Sequence, residues 1–216
     1  MTGVAALYGI RLCTPRLELR LGSRAELEAL AEVAKAGIHP PDEMPFAVAW
    51  TDASDDPGFV TDFVAHHEQT LAAWSPEEWR LNLLAFHAGL PVGVQALRAT
   101  GFSVDRTVDT GSWLGSASQG RGLGTEMRAA VLELAFGSLG ARAAQSGWLE
   151  GGAAQSAGVS ARLGYREVGT HLERPRGEPV VHHDLLLARS DWTCPVRADI
   201  EGVEACLALF GAAPSA

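Results

Sequence analysis

Arg16-Leu17-Glu18-Leu19-Arg20-Leu21 alternates polar and apolar residues strictly, the pattern of a half-buried strand. Ser23 is placed to cap a following helix that runs from Ala25 to about Ala36. Residues 37–56 carry Gly37, Pro40, Pro41, Pro45 and several aspartates, so they form a long loop, and ordered loops of that length are usually functional. Asp56-Pro57 opens a second helix to about Trp74. Two strands, Arg80–Ala88 and Val92–Arg98, are joined by the tight turn Gly89-Leu90-Pro91. Thr107–Leu114 is a further strand, and Gly122 to about Leu139 a helix with Met127, Ala130, Val131 and Leu134 on one face. Then come a strand over Arg142–Glu150, a short helix from about Ala154 to Leu163, and strands Tyr165–Arg174 and Val180–Leu187 around the turn at Pro175, Arg176 and Gly177. A last helix is expected over roughly Ala198–Leu209. The order up to that helix is β-α-α-β-β-β-α-β-α-β-β, without internal repeats or low-complexity tracts.

Composition narrows what such a chain does. At 216 residues, 47% hydrophobic and 20% charged, it builds a real core as one α/β domain without metal or disulfide staples. A net charge of −9 excludes a general nucleic-acid binder and means that any site for an anionic ligand is a local arrangement. Cys13, Cys194 and Cys206 are odd in number and widely spaced, as expected of free thiols in a reducing compartment. Residues 1–10 do not resemble a signal peptide, and no stretch approaches the roughly 20 apolar residues of a membrane span, so a cytoplasmic protein without a membrane partner is expected.

The chemistry concentrates in Gln119-Gly120-Arg121-Gly122-Leu123-Gly124-Thr125, between a strand and an amphipathic helix. Three glycines in five residues open conformations closed to other residues and let a ligand approach the backbone. The free N–H groups of the first helical turn and the helix dipole make an anion site, and Arg121 adds further donors. The Gly-Lys-Ser/Thr of a P-loop is missing. The glycine spacing is also wrong for a dinucleotide fingerprint, with Glu150 only a weak match to its acidic residue. A nucleotide-binding protein using this loop for another phosphate ligand remains a third reading.

Gln119-Gly120-Arg121-Gly122-Leu123-Gly124 matches the Q/R-x-x-G-x-G/A signature of the GNAT superfamily of acyl-coenzyme A-dependent N-acyltransferases. Together with Thr14–Arg20, Val159–Tyr165 and Leu185–Trp192, the chain resembles its ribosomal-protein N-terminal acetyltransferase branch over roughly residues 11–192. That resemblance implies an α/β (α+β) fold with a mixed, mostly antiparallel central sheet, splayed in the middle and covered by helices on both faces. Residues 1–192 would form the acyltransferase domain and 193–216 a C-terminal helical extension, whose Ile200, Val203, Leu207 and Leu209 dock on the domain or on a second copy in a homodimer.

The resemblance further implies acetyl-CoA, or succinyl-CoA or another acyl-CoA, as co-substrate, with no metal. Backbone N–H groups of Gln119, Gly120, Arg121, Gly122, Leu123, Gly124 and Thr125 would hold the pyrophosphate. The backbone of Trp113 and Leu114 would pair with pantetheine, with an N–H near Leu114 polarising the acyl carbonyl. Counting back from Gly164-Tyr165, Ser160 takes the position of the family's acid and Ser156 the position before it, while the family's Asn falls on Ala153. For the base, Asp109 and the His182-His183-Asp184 run offer candidates, with His183 the imidazole chosen. Adjacent histidines at 66–67 and 182–183 do not face one way, so no metal is expected. No Cys–His or Ser–His constellation supports a covalent route. Loop 38–46 is expected to cover an amine acceptor, with Asp42 and Glu43 favouring a cation and Phe46 and Trp50 walling a pocket. The acceptor would be a protein N-terminus, a lysine or a small molecule. A non-catalytic CoA-binding module is the rival reading.

Overall fold

In the computed structural model, which describes residues 3–152 and 154–212, the alternating segment at the start of the chain is the second arm of a hairpin, β1 (Arg11–Cys13) and β2 (Leu17–Arg20). Ser23 caps α1 (Arg24–Lys35) in a full capping box with Glu26. α2 (Phe59–Ala72) follows the long loop, starting two residues inside the Asp-Pro boundary. β3 (Glu78–His87) and β4 (Leu90–Thr100) form the long central hairpin. The short α3 (Phe102–Asp105) leads into β5 (Thr107–Leu114), α4 (Leu123–Glu133), β6 (Ala143–Leu149), α5 (Ala154–Arg162), β7 (Arg166–Glu173) and β8 (Val180–Ala188). The apolar stripe expected through Leu139 is real, but α4 gives way to a π-helical turn over Leu134–Ser138.

The chain ends differently from expectation. In place of a helix over 198–209, Asp199–Glu201 form β9, which pairs antiparallel with β1, and Glu204–Phe210 wind as a 3₁₀ helix. Gly202 forces the break: its φ is +77° and a Cβ there would sit 2.1 Å from the Gly9 carbonyl oxygen. Val203, Cys206 and Phe210 are buried, and that spacing reads as helical whether the turns are 3₁₀ or α. Trp74 and Trp79 donate their indole N–H groups to the carbonyls of Leu209 and Phe210, at 2.8 and 3.2 Å.

Among the described residues nine strands make one sheet in the order β7-β8-β6-β5-β4-β3-β2-β1-β9. It is mixed and mostly antiparallel, with β5–β6 the parallel pair. α1 and α2 cover one face through Leu30, Phe63, Leu84 and Phe86, and α4 packs into the main core on the other. β5 and β6 pair only where Thr107–Asp109 meet Ala143–Gln145, then part. At the apex, side chains bridge the gap: Thr110 Oγ1 donates to Gln145 O and Ser146 Oγ to Thr110 O. Among the described residues no helix is long and apolar enough to cross a membrane.

Candidate active site

The parting strands open a cleft of about 660 Å³. At one end lies the glycine turn. Gly120 and Gly122 both take left-handed conformations, φ +69° and +78°, and Gly122 caps α4 without any side-chain acceptor. The first N–H groups of α4 are therefore left for a ligand. Gln119 is an anchor: its Nε2 donates to Ile38 O at 2.6 Å and to Leu114 O at 2.8 Å, tying the turn to the end of β5. Arg121 lies at the rim with its guanidinium 3.3 Å from His87 Nε2, and its carbonyl accepts from Arg16 Nη1 at 2.9 Å. Gly124 lines the cleft, and a Cβ there would make only ordinary contacts, with Val159 and Leu114.

Thr14 and Arg16 brace this turn from the β1–β2 hairpin. Both bond the buried carboxylate of Glu126 on α4, at 2.6 Å from Thr14 Oγ1 and 2.6 Å from Arg16 Nε. Burial pushes that carboxyl upward, but the Thr14 and Arg16 hydrogen bonds outweigh it and hold it below its ordinary range. The sequence points to Thr14 and Arg16 only within a resemblance, and to Glu126 not at all, because nothing local links positions 112 residues apart.

Along β5, backbone geometry reassigns one expected contact. Gly115 N–H donates to Val92 O, so the antiparallel alternation also turns Trp113 toward Val94 of β4. Ser112 and the Leu114 N–H are left facing the parting β6 edge, while the Leu114 carbonyl accepts from Gln119. Leu114 and Ser112 thus face the gap, while the backbone of Trp113 faces β4. The Trp113 ring packs 5.7 Å from Trp50 and 6.2 Å from Phe63 in the α1/α2-side core. Asp109 lines the cleft, but Arg98 Nε holds its carboxylate at 2.8 Å, a poor state for a base.

At the other end of the cleft the histidines sort by strand alternation. His183 points away: its ring stacks on Trp148 at 3.9 Å, and its nitrogens meet Glu167 and Glu150 at 2.9 and 3.1 Å. Burial lowers its pKa, but the two carboxylates overcome this and raise it. His182 and Asp184 share the cleft face with Asp109, and His182 Nδ1 lies 3.1 Å from Asp184 Oδ1. The His182 ring rests on Gly147, where a Cβ would lie 2.1 Å from Cε1 and 2.3 Å from Nε2. His171, opposite His182 on β7, also bonds Asp184, at 3.1 Å. Asp184 is held below its usual range, first by the hydrogen bond from His171 and also by that from His182. Ligand atoms of His171, His182 and Asp184 all lie within 4.8 Å of one another. Counting the β7–β8 hairpin back from its turn would have found His171.

Ser156 lines the cleft. Ser160 does not: it is 1% exposed and accepts from Arg128 Nη1 at 2.9 Å. Ala153, the position of the family's Asn, lies outside the described residues. The loop after α1 roofs the cleft with Ile38, His39, Glu43 and Phe46, and Arg176 ties it to the β7–β8 turn through Asp52 at 2.6 Å. Trp50 sits behind Phe46, ring centroids 5.3 Å apart.

A family model described as the acetyltransferase (GNAT) domain matches residues 16–166. Among solved structures, RimJ of Mycobacterium smegmatis in complex with CoA-disulfide is 17% identical, with 94% of this chain and 95% of that one covered at a TM-score of 0.70. The microcin C7 self-immunity acetyltransferase MccE in complex with acetyl-CoA and AMP is 18% identical, over 81% and 93% of the two chains at 0.65. A GNAT-family acetyltransferase from Bacillus anthracis is 13% identical, over 83% and 99% at 0.63. At these identities the likeness is one of fold.

Proposed function

Because the chain belongs to the acetyltransferase (GNAT) domain family, we propose that it transfers an acyl group, acetyl in the first instance, from acyl-coenzyme A to a primary amine by direct attack in a ternary complex. The observation that carries this reading is one continuous cleft with an uncapped, glycine-lined helix start at one end and a His182–Asp184 pair at the other.

The cofactor's pyrophosphate sits on the N–H groups that open α4, and pantetheine lies between the parted strands against Ser112 and Leu114. The Leu114 N–H faces the gap and donates to the thioester carbonyl. The amine enters beneath the roof loop, where Glu43 favours its cationic form. His182 takes a proton from the ammonium, with Asp184 fixing the ring through Nδ1 and leaving Nε2 for the substrate. The freed amine attacks the carbonyl carbon, its second proton passes to solvent as the C–S bond breaks, and amide and coenzyme A leave. His182 replaces His183 as the base because only His182 faces the cleft. Protein N-termini, lysines and small amines all present the required group.

The test is release of free coenzyme A thiol from acetyl-CoA in the presence of a panel of primary amines. Amine-dependent release supports the reading. Release with none of them, in a protein that binds acetyl-CoA, would overturn it in favour of a non-catalytic CoA-binding module.

A further inference from the structure

Arg128 rises from α4 into the floor of the gap between β5 and β6. It is 2% exposed, yet it belongs to the cleft wall. Its Nη1 donates to Ser160 Oγ at 2.9 Å and Ser146 Oγ at 3.2 Å, and its Nη2 to Ser112 Oγ at 2.9 Å. Its Nε is buried without a partner. All three acceptors are neutral hydroxyls, and among the described residues no carboxylate lies within ion-pair distance of this guanidinium. A buried cation is ordinarily matched by a fixed anion, since its desolvation is otherwise uncompensated. Among the described residues Asp109, engaged by Arg98, acts on it only from beyond ion-pair distance, so a closer matching charge would come with what the cleft binds.

The three hydroxyls are not equivalent. Ser160 lies behind the guanidinium, out of the cleft. Ser146 lines the cleft but gives its hydrogen to Thr110 O at 3.2 Å. Ser112 lines the cleft, accepts from Arg128, and among the described residues donates to no protein acceptor. Its O–H is therefore available to the cleft, and the cation behind its oxygen strengthens it as a donor. It stands two residues before Leu114, the proposed carbonyl-polarising position.

We propose that Ser112, backed by Arg128, receives the negative charge on the coenzyme A sulfur as the thioester breaks. The inference rests on the acyl-CoA reading above. When the tetrahedral intermediate collapses, the C–S bond breaks and its electron pair stays on sulfur. The first amine proton has gone to His182, the second leaves the nitrogen for solvent as the intermediate collapses, Ser112 keeps its own proton while hydrogen-bonding the thiolate, and the departing thiolate is protonated by solvent. Ser112 is thus a catalytic residue, Arg128 a positioning residue, and Ser160 the anchor of the guanidinium rather than the acid its place in the sequence suggests.

The test is the titration of bound coenzyme A, followed by the ultraviolet absorbance of its thiolate across pH, in the wild type and in Ser112→Ala, Arg128→Gln, Arg128→Lys and Ser160→Ala. Bound to the wild type, the thiol should titrate below free coenzyme A. Ser112→Ala should raise it by about one pH unit and slow acyl transfer about tenfold, with coenzyme A affinity nearly unchanged. Arg128→Gln should do the same and Arg128→Lys recover part of the loss, while Ser160→Ala should lose less than Ser112→Ala. Ser112→Ala replaces a half-buried hydroxyl and keeps the test open if the Arg128 variants do not fold. A bound thiol that titrates like the free one, or a larger loss in Ser160→Ala, would overturn the proposal. So would Arg128 variants that lose only succinyl-CoA binding, since the guanidinium would then serve an acyl carboxylate. Failure to bind coenzyme A at all would instead remove the underlying reading.

Discussion

His182 and Gly147 depend on each other. The imidazole occupies the space where any β-carbon on residue 147 would sit, 2.1 Å from Cε1. Gly147→Ala should therefore displace the ring, and because its β-carbon would also lie 2.9 Å from the His183 carbonyl oxygen, it should strain the β6–β8 pairing as well. Its kcat should drop at least tenfold, toward that of His182→Gln, with acetyl-CoA affinity little changed. Steady-state kinetics check this, and a Gly147→Ala enzyme of wild-type kcat would remove His182 from the role. At this scale the sequence was partly legible. It presented the glycine turn and the histidine run, but the choice of His182 over His183 and of Ser112 over Trp113 depends on which way a strand's odd and even residues face. That facing is set by the strands' partners.

α1 was readable because its signals are local: a capping serine, a glutamate three residues on, and an apolar stripe. Tertiary structure adds Arg20, whose Nη atoms bond Glu26 at 2.9 and 2.6 Å. This pairing, first among the causes, holds the Glu26 carboxyl at about 2, against 4.5 for an ordinary glutamate. Its stabilisation is complete above the ordinary range and is lost as the pH falls through about 2. Glu26→Gln should cost about 1 kcal/mol at neutral pH, given partial solvent screening. The cost should shrink to near zero at pH 2, as denaturant titrations at the two pH values would show. The C-terminal segment was misread for the opposite reason. Val203, Cys206 and Phe210 carry a helical spacing, but strand pairing between β9 and β1 and the close approach of Gly202 to Gly9 decide the backbone.

For the molecule as a whole, that C-terminal segment is built into the main core. Phe210 is fully buried, its ring centroid 4.9 Å from that of Trp79 and 5.2 Å from that of Trp74. Phe210→Ala should cost about 3–5 kcal/mol and lower Tm by roughly 10 °C. A loss below about 1 kcal/mol in a thermal melt would show the segment to be peripheral. The α/β order and the strand–glycine–helix unit were legible from local periodicity. The nine-stranded order, with β9 beside β1, was not, since it joins the two ends of the chain.

The account stands on coenzyme A lying in the gap between β5 and β6 with its pyrophosphate at the start of α4, and one measurement addresses that directly. It is calorimetric titration of acetyl-CoA into the wild type and Gly124→Val, with ATP and NAD as controls. Gly124 has no left-handed φ, and a β-carbon there makes only ordinary contacts, 3.6 Å from Val159 and 3.8 Å from Leu114, so a side chain there enters the cleft wall. The wild type should bind acetyl-CoA but neither control, and the variant should lose that binding at an unchanged Tm. Wild-type affinity in Gly124→Val, or no acetyl-CoA binding by the wild type, would contradict it.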